Sequence, residues 1–322
     1  MNNRVVQFDI LKIIMSFFVV LTHIPSKGLF QDLAVPCFMF LSFYFTADAI
    51  LNHDISKIKK RLARLLIPYC FWSILFYIAN YALSFVVNME RPRIYDLGLQ
   101  LLTGHNPFSD MPLWYINSVI ILTIVLTSIA YIVKNQKAIM CIYSIIIVGA
   151  LFSSYSGFNV YVFAKISWSY GNLCNMIVYA ILGIIFSHFN ILPKLKKLPV
   201  LLISIITFIL VAIFFIDTPE EMFVYGGVKY IILTILLIII FYFIPVARFK
   251  NKIKLCISFI SKYTMGTFCI HWGYIFILSV LRQKNMIIEH EIVEALIIFV
   301  VSWLTAYLIS LLPLKWGKQL VT

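Results

Sequence analysis

Four residues near the start of the chain, Asp9, Lys12, Ser16 and His23, are of types that move protons or hold polar groups, and their spacing brings them together. With Lys12 at zero and 100° per residue, Ser16 lies about 40° away, His23 about 20° and Asp9 about 60°. All four therefore share one stripe of a helix whose remaining face is Ile, Phe and Val. Imidazole takes up a proton near neutral pH, so a histidine with access to an alcohol is a natural general base. Eleven residues of helical rise separate His23 from Lys12 by roughly 16 Å, too far for direct mutual activation. The plainer account has Asp9 and Lys12 neutralising each other near one headgroup layer while His23 hydrogen-bonds at the other. A second stripe, Ser261, Thr264, Thr267 and His271, is spaced three, three and four apart. Hydroxyls bonded back to helix carbonyls and a packing histidine are its competing account. A third cluster, Lys57-Ile-Lys-Lys-Arg-Leu-Ala-Arg64, holds five positive charges in eight residues. Arg61 and Arg64, three apart on one helical face, form a guanidinium pair suited to the phosphates of a nucleotide-like donor. Membrane topology and attraction to anionic lipid also account for that run.

The chain that must position these groups has 322 residues, 62% of them hydrophobic and only 12% charged, with a mean hydropathy of +0.97. That leaves too little polar surface for a soluble enzyme. Apolar runs of about 20 residues recur throughout and exclude disorder, a disulfide scaffold and a repeat solenoid. The expected fold is all-α: a polytopic integral membrane protein forming a single domain over residues 1–322. Ten spans are expected near 5–25, 30–52, 65–88, 112–133, 138–156, 172–190, 199–217, 228–247, 255–281 and 292–313. Counting loop Lys and Arg from a cytoplasmic N-terminus places seventeen inside (Arg4, the Lys57–Arg64 group and later loops) against seven outside. The expected orientation therefore has both termini in the cytoplasm, and the net charge of +13 reads as topology rather than as nucleic-acid binding. Asp9 and Lys12 interrupt the first apolar stretch, which is expected to be a retained helix rather than a signal peptide.

The six cysteines, Cys37, Cys70, Cys141, Cys174, Cys256 and Cys269, are scattered without metal-ligand spacing, so buried small side chains are expected and no metal. His53, His188 and His290 at span ends and His105 in a loop are expected to be solvated. Dinucleotide, Walker, HExxH and CxxC signatures do not occur. Two outer segments, Asn88 to Met111 and Ser156 to Gly171, are long enough to do more than connect. Trp114, Trp168 and Tyr170 offer faces for stacking sugar rings, although Trp and Tyr are common at any membrane interface.

Taken in order, these residues resemble the acyltransferase-3 family of integral membrane acyltransferases over nearly the whole chain. Arg4, Asp9, Lys12 and His23 match the family's Arg-x4-Asp-x2-Arg/Lys setting followed by ten positions and a histidine. Pro36, Phe38, Phe40, Leu41, Ser42 and Phe43 resemble its Pro-aromatic run ending in Ser-Gly-Phe. Phe43 replaces the glycine, which counts against a close backbone approach by a ligand at that turn. Arg61, Arg64 and Pro68 match an Arg-x-x-Arg followed by proline. Leu113, Trp114, Tyr115 and Ile116 are similar to a Leu-Trp-Phe-Leu start. Ser258, Ser261, Thr264, Phe268 and His271 fit Ser-x-x-Ser-x-x-x-Tyr-x-x-His loosely, with phenylalanine for tyrosine.

The resemblance implies transfer of an acyl group, usually acetyl, from cytoplasmic acyl-CoA to a hydroxyl of a glycan on or crossing the far face of the inner or plasma membrane. Many relatives add an esterase-like SGNH domain after the last helix. This chain stops at Thr322, so the expectation is the stand-alone type acting on O-antigen, capsule or exopolysaccharide. On this reading Arg61 and Arg64, assisted by Lys57, Lys59 and Lys60, hold the CoA phosphates, and the pantetheine arm follows Asp9, Lys12 and Ser16. Lys12 steadies the donor, and His23 takes the hydroxyl proton or carries the acyl group itself. Ser42, Trp114 and His271 are candidate substrate contacts. The expected partners are acyl-CoA, a glycan acceptor and membrane lipid. The rival expectation is a transporter or flippase using the same buried charges as a relay.

Overall fold

The computed structural model describes residues 5–24, 29–85, 90–104, 113–158, 168–214, 224–283, 291–313 and 317–322. Arg4, His105, Asp110 and His290 lie outside them. The helices are α1 (Val6–Thr22), α2 (Leu29–Asp32), α3 (Ala34–Tyr44), α4 (Ala47–Leu51), α5 (Ile55–Leu83), α6 (Ile94–Thr103), α7 (Trp114–Val133) and α8 (Gln136–Tyr155). They continue with α9 (Trp168–His188), α10 (Ile191–Leu195), α11 (Leu198–Phe214), α12 (Val228–Tyr242), α13 (Asn251–Lys262), α14 (Thr264–Gln283) and α15 (Glu291–Leu311). Among the described residues there is no strand. Helices dominate because a backbone in hydrocarbon must satisfy its own N–H and C=O groups.

Among the described residues five segments are long and apolar enough to cross a membrane: α5, α7, α8, residues Val228–Arg248 and α15. A sixth arises if α13 and Thr264–Leu278, bent by 52° at their junction, count as one. The helices α3, Asn172–His188 and α11 are apolar but shorter. Two expected spans are thus interrupted. The expected 30–52 span divides into α2, α3 and α4, with Thr46 Oγ1 donating to the Ser42 carbonyl at 2.7 Å beside the second break, a back-bond that bends helices. The expected 255–281 span divides at Tyr263, between α13 and α14. Conversely, the basic stretch expected as a loop is the opening of α5. Asp54 caps that helix by accepting from the Lys57 backbone N–H at 3.0 Å and lies 2.9 Å from the Lys57 ammonium. That hydrogen-bonded ammonium holds the Asp54 carboxyl below its ordinary range.

The chain forms two compact units, residues 1–47 with 179–322, and residues 48–178. In the first, α1 is central and packs against α2, α3, α12, α13, α14 and α15. Its apolar residues Phe8, Leu11, Met15, Val19 and Val20 are buried together with Asp9 and Ser16. Small residues allow close helix approach where apolar burial gives no net drive in lipid. A Cβ on Gly183 of α9 would lie 2.4 Å from the Phe40 carbonyl oxygen and 2.9 Å from the Tyr44 nitrogen. In the second unit α5 packs on α6 and α7, and α7 on α8. Gly104 ends α6 with φ +71°, and a side chain there would meet the Trp114 backbone at 2.9 Å.

Candidate functional site

The two polar stripes read from the sequence are joined into one spine in the first unit. Ser261 Oγ donates to Asp9 Oδ1 at 2.8 Å, and Ser258 Oγ donates to Oδ2 at 3.2 Å. Lys12 Nζ stands 3.6 Å from Asp9 Oδ1, with its side chain 30% exposed against 3% for the carboxylate. The ammonium also lies 5.2 Å from the centre of the Phe45 ring, a cation–π contact. A carboxylate this deeply buried is tolerable because a cation and two hydroxyls serve it together. Ser16 is buried, and its hydroxyl donates locally to the Ile13 carbonyl at 2.9 Å.

Farther along the spine, Thr264 Oγ1 donates to the Ser261 carbonyl at 3.0 Å and Thr267 Oγ1 to the Tyr263 carbonyl at 3.1 Å. At its far end His23 caps α1, half-buried. Its ring lies 5.3 Å from that of His271 and 5.0 Å, edge on, from that of Trp272. His271 is fully buried. Because Asp9 meets α13 and His23 meets α14, α1 runs parallel to the broken α13–α14 segment. The spine therefore carries an ion pair at one end and two imidazoles at the other, a helical rise of roughly 16 Å apart between Lys12 and His23.

The break at Tyr263 is partnered by protein groups. Trp303 Nε1 donates to the Ile260 carbonyl at 3.0 Å, and the Gly266 N–H donates to the Val321 carbonyl at 3.2 Å. Tyr263, Phe259, Trp303 and Tyr307 pack ring against ring around it. None of these supporting residues was singled out in the sequence. Tryptophan and tyrosine at helical spacing on an apolar helix look the same whether they face lipid or a neighbour.

In the second unit the arginine pair divides. Arg61 is half-buried, and its Nε donates to Thr123 Oγ1 at 3.3 Å, while Thr123 donates onward to the Val119 carbonyl at 2.7 Å. Arg64 is exposed, as are Lys57, Lys59 and Lys60. A groove of about 540 Å³ between α5 and α7 has Lys59 at its wall with Ile58, Leu62, Thr127 and Tyr131. Trp114 is buried at the start of α7, which removes most of its face as a free stacking platform. Ser42 is half-buried on α3. His53, expected to be solvated, is half-buried with φ +56°, and its Nδ1 lacks a hydrogen-bond partner. Among the described residues no three His, Cys, Asp or Glu side chains gather as a metal site.

Phe43 is fully buried, and the close backbone approach at that turn of α3 is supplied from the other helix, by Gly183. Two further acidic and basic groups, Arg282 and the buried Glu294, form an ion pair between α14 and α15. The only sequence sign of it was an acidic residue in the first turn of α15.

Neither the comparison with curated proteins nor that with solved structures gives a match. The family model described as an acyltransferase domain matches residues 5–311. That match contains the spine, both imidazoles and the basic start of α5. A buried polar spine in an apolar helical chain, matched over nearly its whole length, places this protein in the acyltransferase-3 family of membrane acyltransferases.

Proposed function

We propose that the protein moves an acyl group, acetyl above all, from cytoplasmic acyl-CoA to a hydroxyl of a cell-surface or lipid-linked glycan. The observation that carries this reading is the spine from Asp9 and Lys12 to His23 and His271. Ionisable groups in a membrane helix are costly and mark sites of function. A half-buried imidazole at one end, with a second behind it, is a proton acceptor placed where an alcohol can reach. His23 takes the hydroxyl proton as the oxygen attacks the thioester carbonyl. The new C–O bond forms, the C–S bond breaks, and the CoA thiolate leaves with a proton to give the thiol. Lys12 supplies a fixed positive charge for polar parts of the donor.

Arg64, Lys59 and Lys60 are exposed cations that fit the donor's phosphates. Arg61 stands beside them but is committed to Thr123. Ten spans, both termini in the cytoplasm and residence in the inner or plasma membrane complete the proposal. The recurring apolar runs support the spans, and the seventeen-to-seven distribution of loop cations supports the orientation. The test is transfer from labelled acetyl-CoA in membranes holding equal amounts of wild type and His23→Ala. The variant is expected to insert and bind acyl-CoA yet transfer nothing. Substantial transfer by it removes His23 from the mechanism.

One observation favours the transporter reading. Broken helices carrying polar groups at their break are a transporter feature, and α13–α14 is such a segment. The two readings part in glycan mass analysis of a deletion strain. Loss of an acyl increment from otherwise intact glycan supports the enzyme, whereas unmodified composition with failed export supports the transporter.

A further inference from the structure

His271 is fully buried, and its Nδ1 lies 3.2 Å from the Thr267 carbonyl oxygen. A carbonyl only accepts, so Nδ1 carries the proton and Nε2 carries the lone pair. That Nε2 is buried without a hydrogen-bond partner. An orphaned acceptor in so deep a place destabilises the resting fold and calls for an explanation. A histidine serving only to pack α14 would gain nothing by keeping it. The His23 ring stands 5.3 Å away, centre to centre, and the Trp272 ring lies edge-on to that of His23 at 5.0 Å.

We infer that His271 is a positioning residue for His23, its Nε2 lone pair held ready for the ring N–H of His23 on the side away from the alcohol, a donor that strengthens when His23 becomes imidazolium. Neutral His23 has one N–H; the imidazolium has two. When His23 takes the acceptor's proton on the nitrogen that faces the alcohol, the N–H of its other nitrogen turns to His271 Nε2 and the orphan gains its donor. No atom is transferred between the rings: the proton stays on His23 until the leaving thiolate takes it. The contact is stronger to the imidazolium than to the neutral ring, which is the condition for lowering a barrier rather than merely binding. The arrangement does with a neutral imidazole what a buried carboxylate does for a catalytic histidine in a hydrolase triad. This inference rests on the proposed role of His23 as proton acceptor.

The titratable and charged groups on the elements packed against this end of α1 are few. Among the described residues, besides His271, they are Arg282 and Glu294, paired with each other across α14 and α15, Glu291 on α15, Cys269 and Tyr274 on α14, Asp32 on α2 and Lys229 on α12. Asp9 and Lys12 stand on α1 itself, about 16 Å and more along the axis. All are unchanged in variants at position 271, so a difference between those variants reports the imidazole alone.

The experiment compares His271→Leu and His271→Gln with wild type. With leucine, kcat for acetyl transfer should fall about 100-fold, the scale of a positioned proton-transfer partner, with KM for acetyl-CoA held within about twofold. The acid limb of the pH–rate profile should move to lower pH, because the protonated form of His23 has lost its acceptor. Glutamine, whose side-chain carbonyl accepts, should recover at least about tenfold of the loss. A readout independent of transfer is carbethoxylation of His23 by diethyl pyrocarbonate, followed by peptide mass spectrometry across pH, with His23→Ala as control. Only the neutral ring reacts, so in His271→Leu the reaction should persist to lower pH than in wild type. Identical carbethoxylation profiles in folded wild type and His271→Leu overturn the inference. If the leucine variant does not accumulate, His271→Met makes the same comparison and the same identity overturns it. A shifted profile with no acetyl transfer by wild type keeps the pairing of the rings and rejects the acyltransfer reading.

Discussion

One oxygen of Asp9 receives both the Ser261 hydroxyl at 2.8 Å and the Lys12 ammonium at 3.6 Å, so a single carboxylate serves its own helix and α13 at once. A hydrogen bond to a charged group contributes about 1.5–3 kcal/mol. Ser261→Ala should therefore destabilise the detergent-solubilised protein by about 1–2 kcal/mol, after allowing for a shared acceptor. Ser258→Ala, whose bond is longer at 3.2 Å, should cost less. Asp9→Ala should cost more than either, since it strips both hydroxyls and the ammonium of their common partner. Thermal unfolding of the three variants checks the ranking. An Asp9→Ala protein as stable as wild type would remove the carboxylate from the joint between α1 and α13.

The two arginines at the start of α5 should fail differently. Arg61 reaches Thr123 at 3.3 Å and Arg64 is exposed. Arg64→Ala should weaken acyl-CoA binding about three- to tenfold, roughly 1 kcal/mol, and leave the melting temperature unchanged. Arg61→Ala and Thr123→Val should both lower the melting temperature. Isothermal titration with acyl-CoA beside thermal unfolding separates the two. Equal loss of affinity with equal loss of stability in both arginine variants would restore them to one shared role.

Gly183→Ala should destabilise by about 1–3 kcal/mol, the range for overpacking. The added carbon would sit 2.4 Å from a backbone oxygen of α3 that has no flexible end to move. Gly98→Ala and Gly149→Ala are the controls, because nothing lies within 4 Å of either added carbon. Both should be neutral or stabilising by about 0.5–1 kcal/mol, the helix preference of alanine over glycine. A Gly183→Ala protein that melts with the controls would mean that α3 and α9 can separate without cost.

Reporter fusions should place residues 89–111 outside the cell and both termini inside, as the loop cations require. Protection of that segment from external reagents in intact cells would put His23 on the wrong side for an external acceptor.

The stripe Asp9, Lys12, Ser16 and His23 was legible because helical periodicity alone puts its members on one face, and the three-residue spacing of Asp9 and Lys12 already implies their contact. The same holds for Ser261 through His271. That the two stripes meet was not legible, since nothing local in either segment encodes a partner some 250 positions away. The break at Tyr263 was hidden because no Pro or Gly stands at it, and the polar run Ser261-Lys262-Tyr263-Thr264 read as part of a stripe on one helix. The Lys57–Arg64 run read as a loop because charge masks helical pattern; Asp54, a good N-cap residue, was the overlooked sign. Gly183 gave no warning, because a glycine in an apolar helix does not reveal whose backbone it admits.

Asp9 and Ser261 are 252 residues apart in the chain, and at about 5–20 residues per second the ribosome needs roughly 10–50 s to make that interval. During biogenesis α1 must therefore wait in the bilayer or the insertion machinery for its permanent neighbour. Over that time its buried carboxylate depends on partners close in the chain, and Lys12, one turn on, is such a partner. The intrahelical pair is thus a chaperone built into the first helix, and its loss should show first as poor insertion and rapid turnover of the young chain.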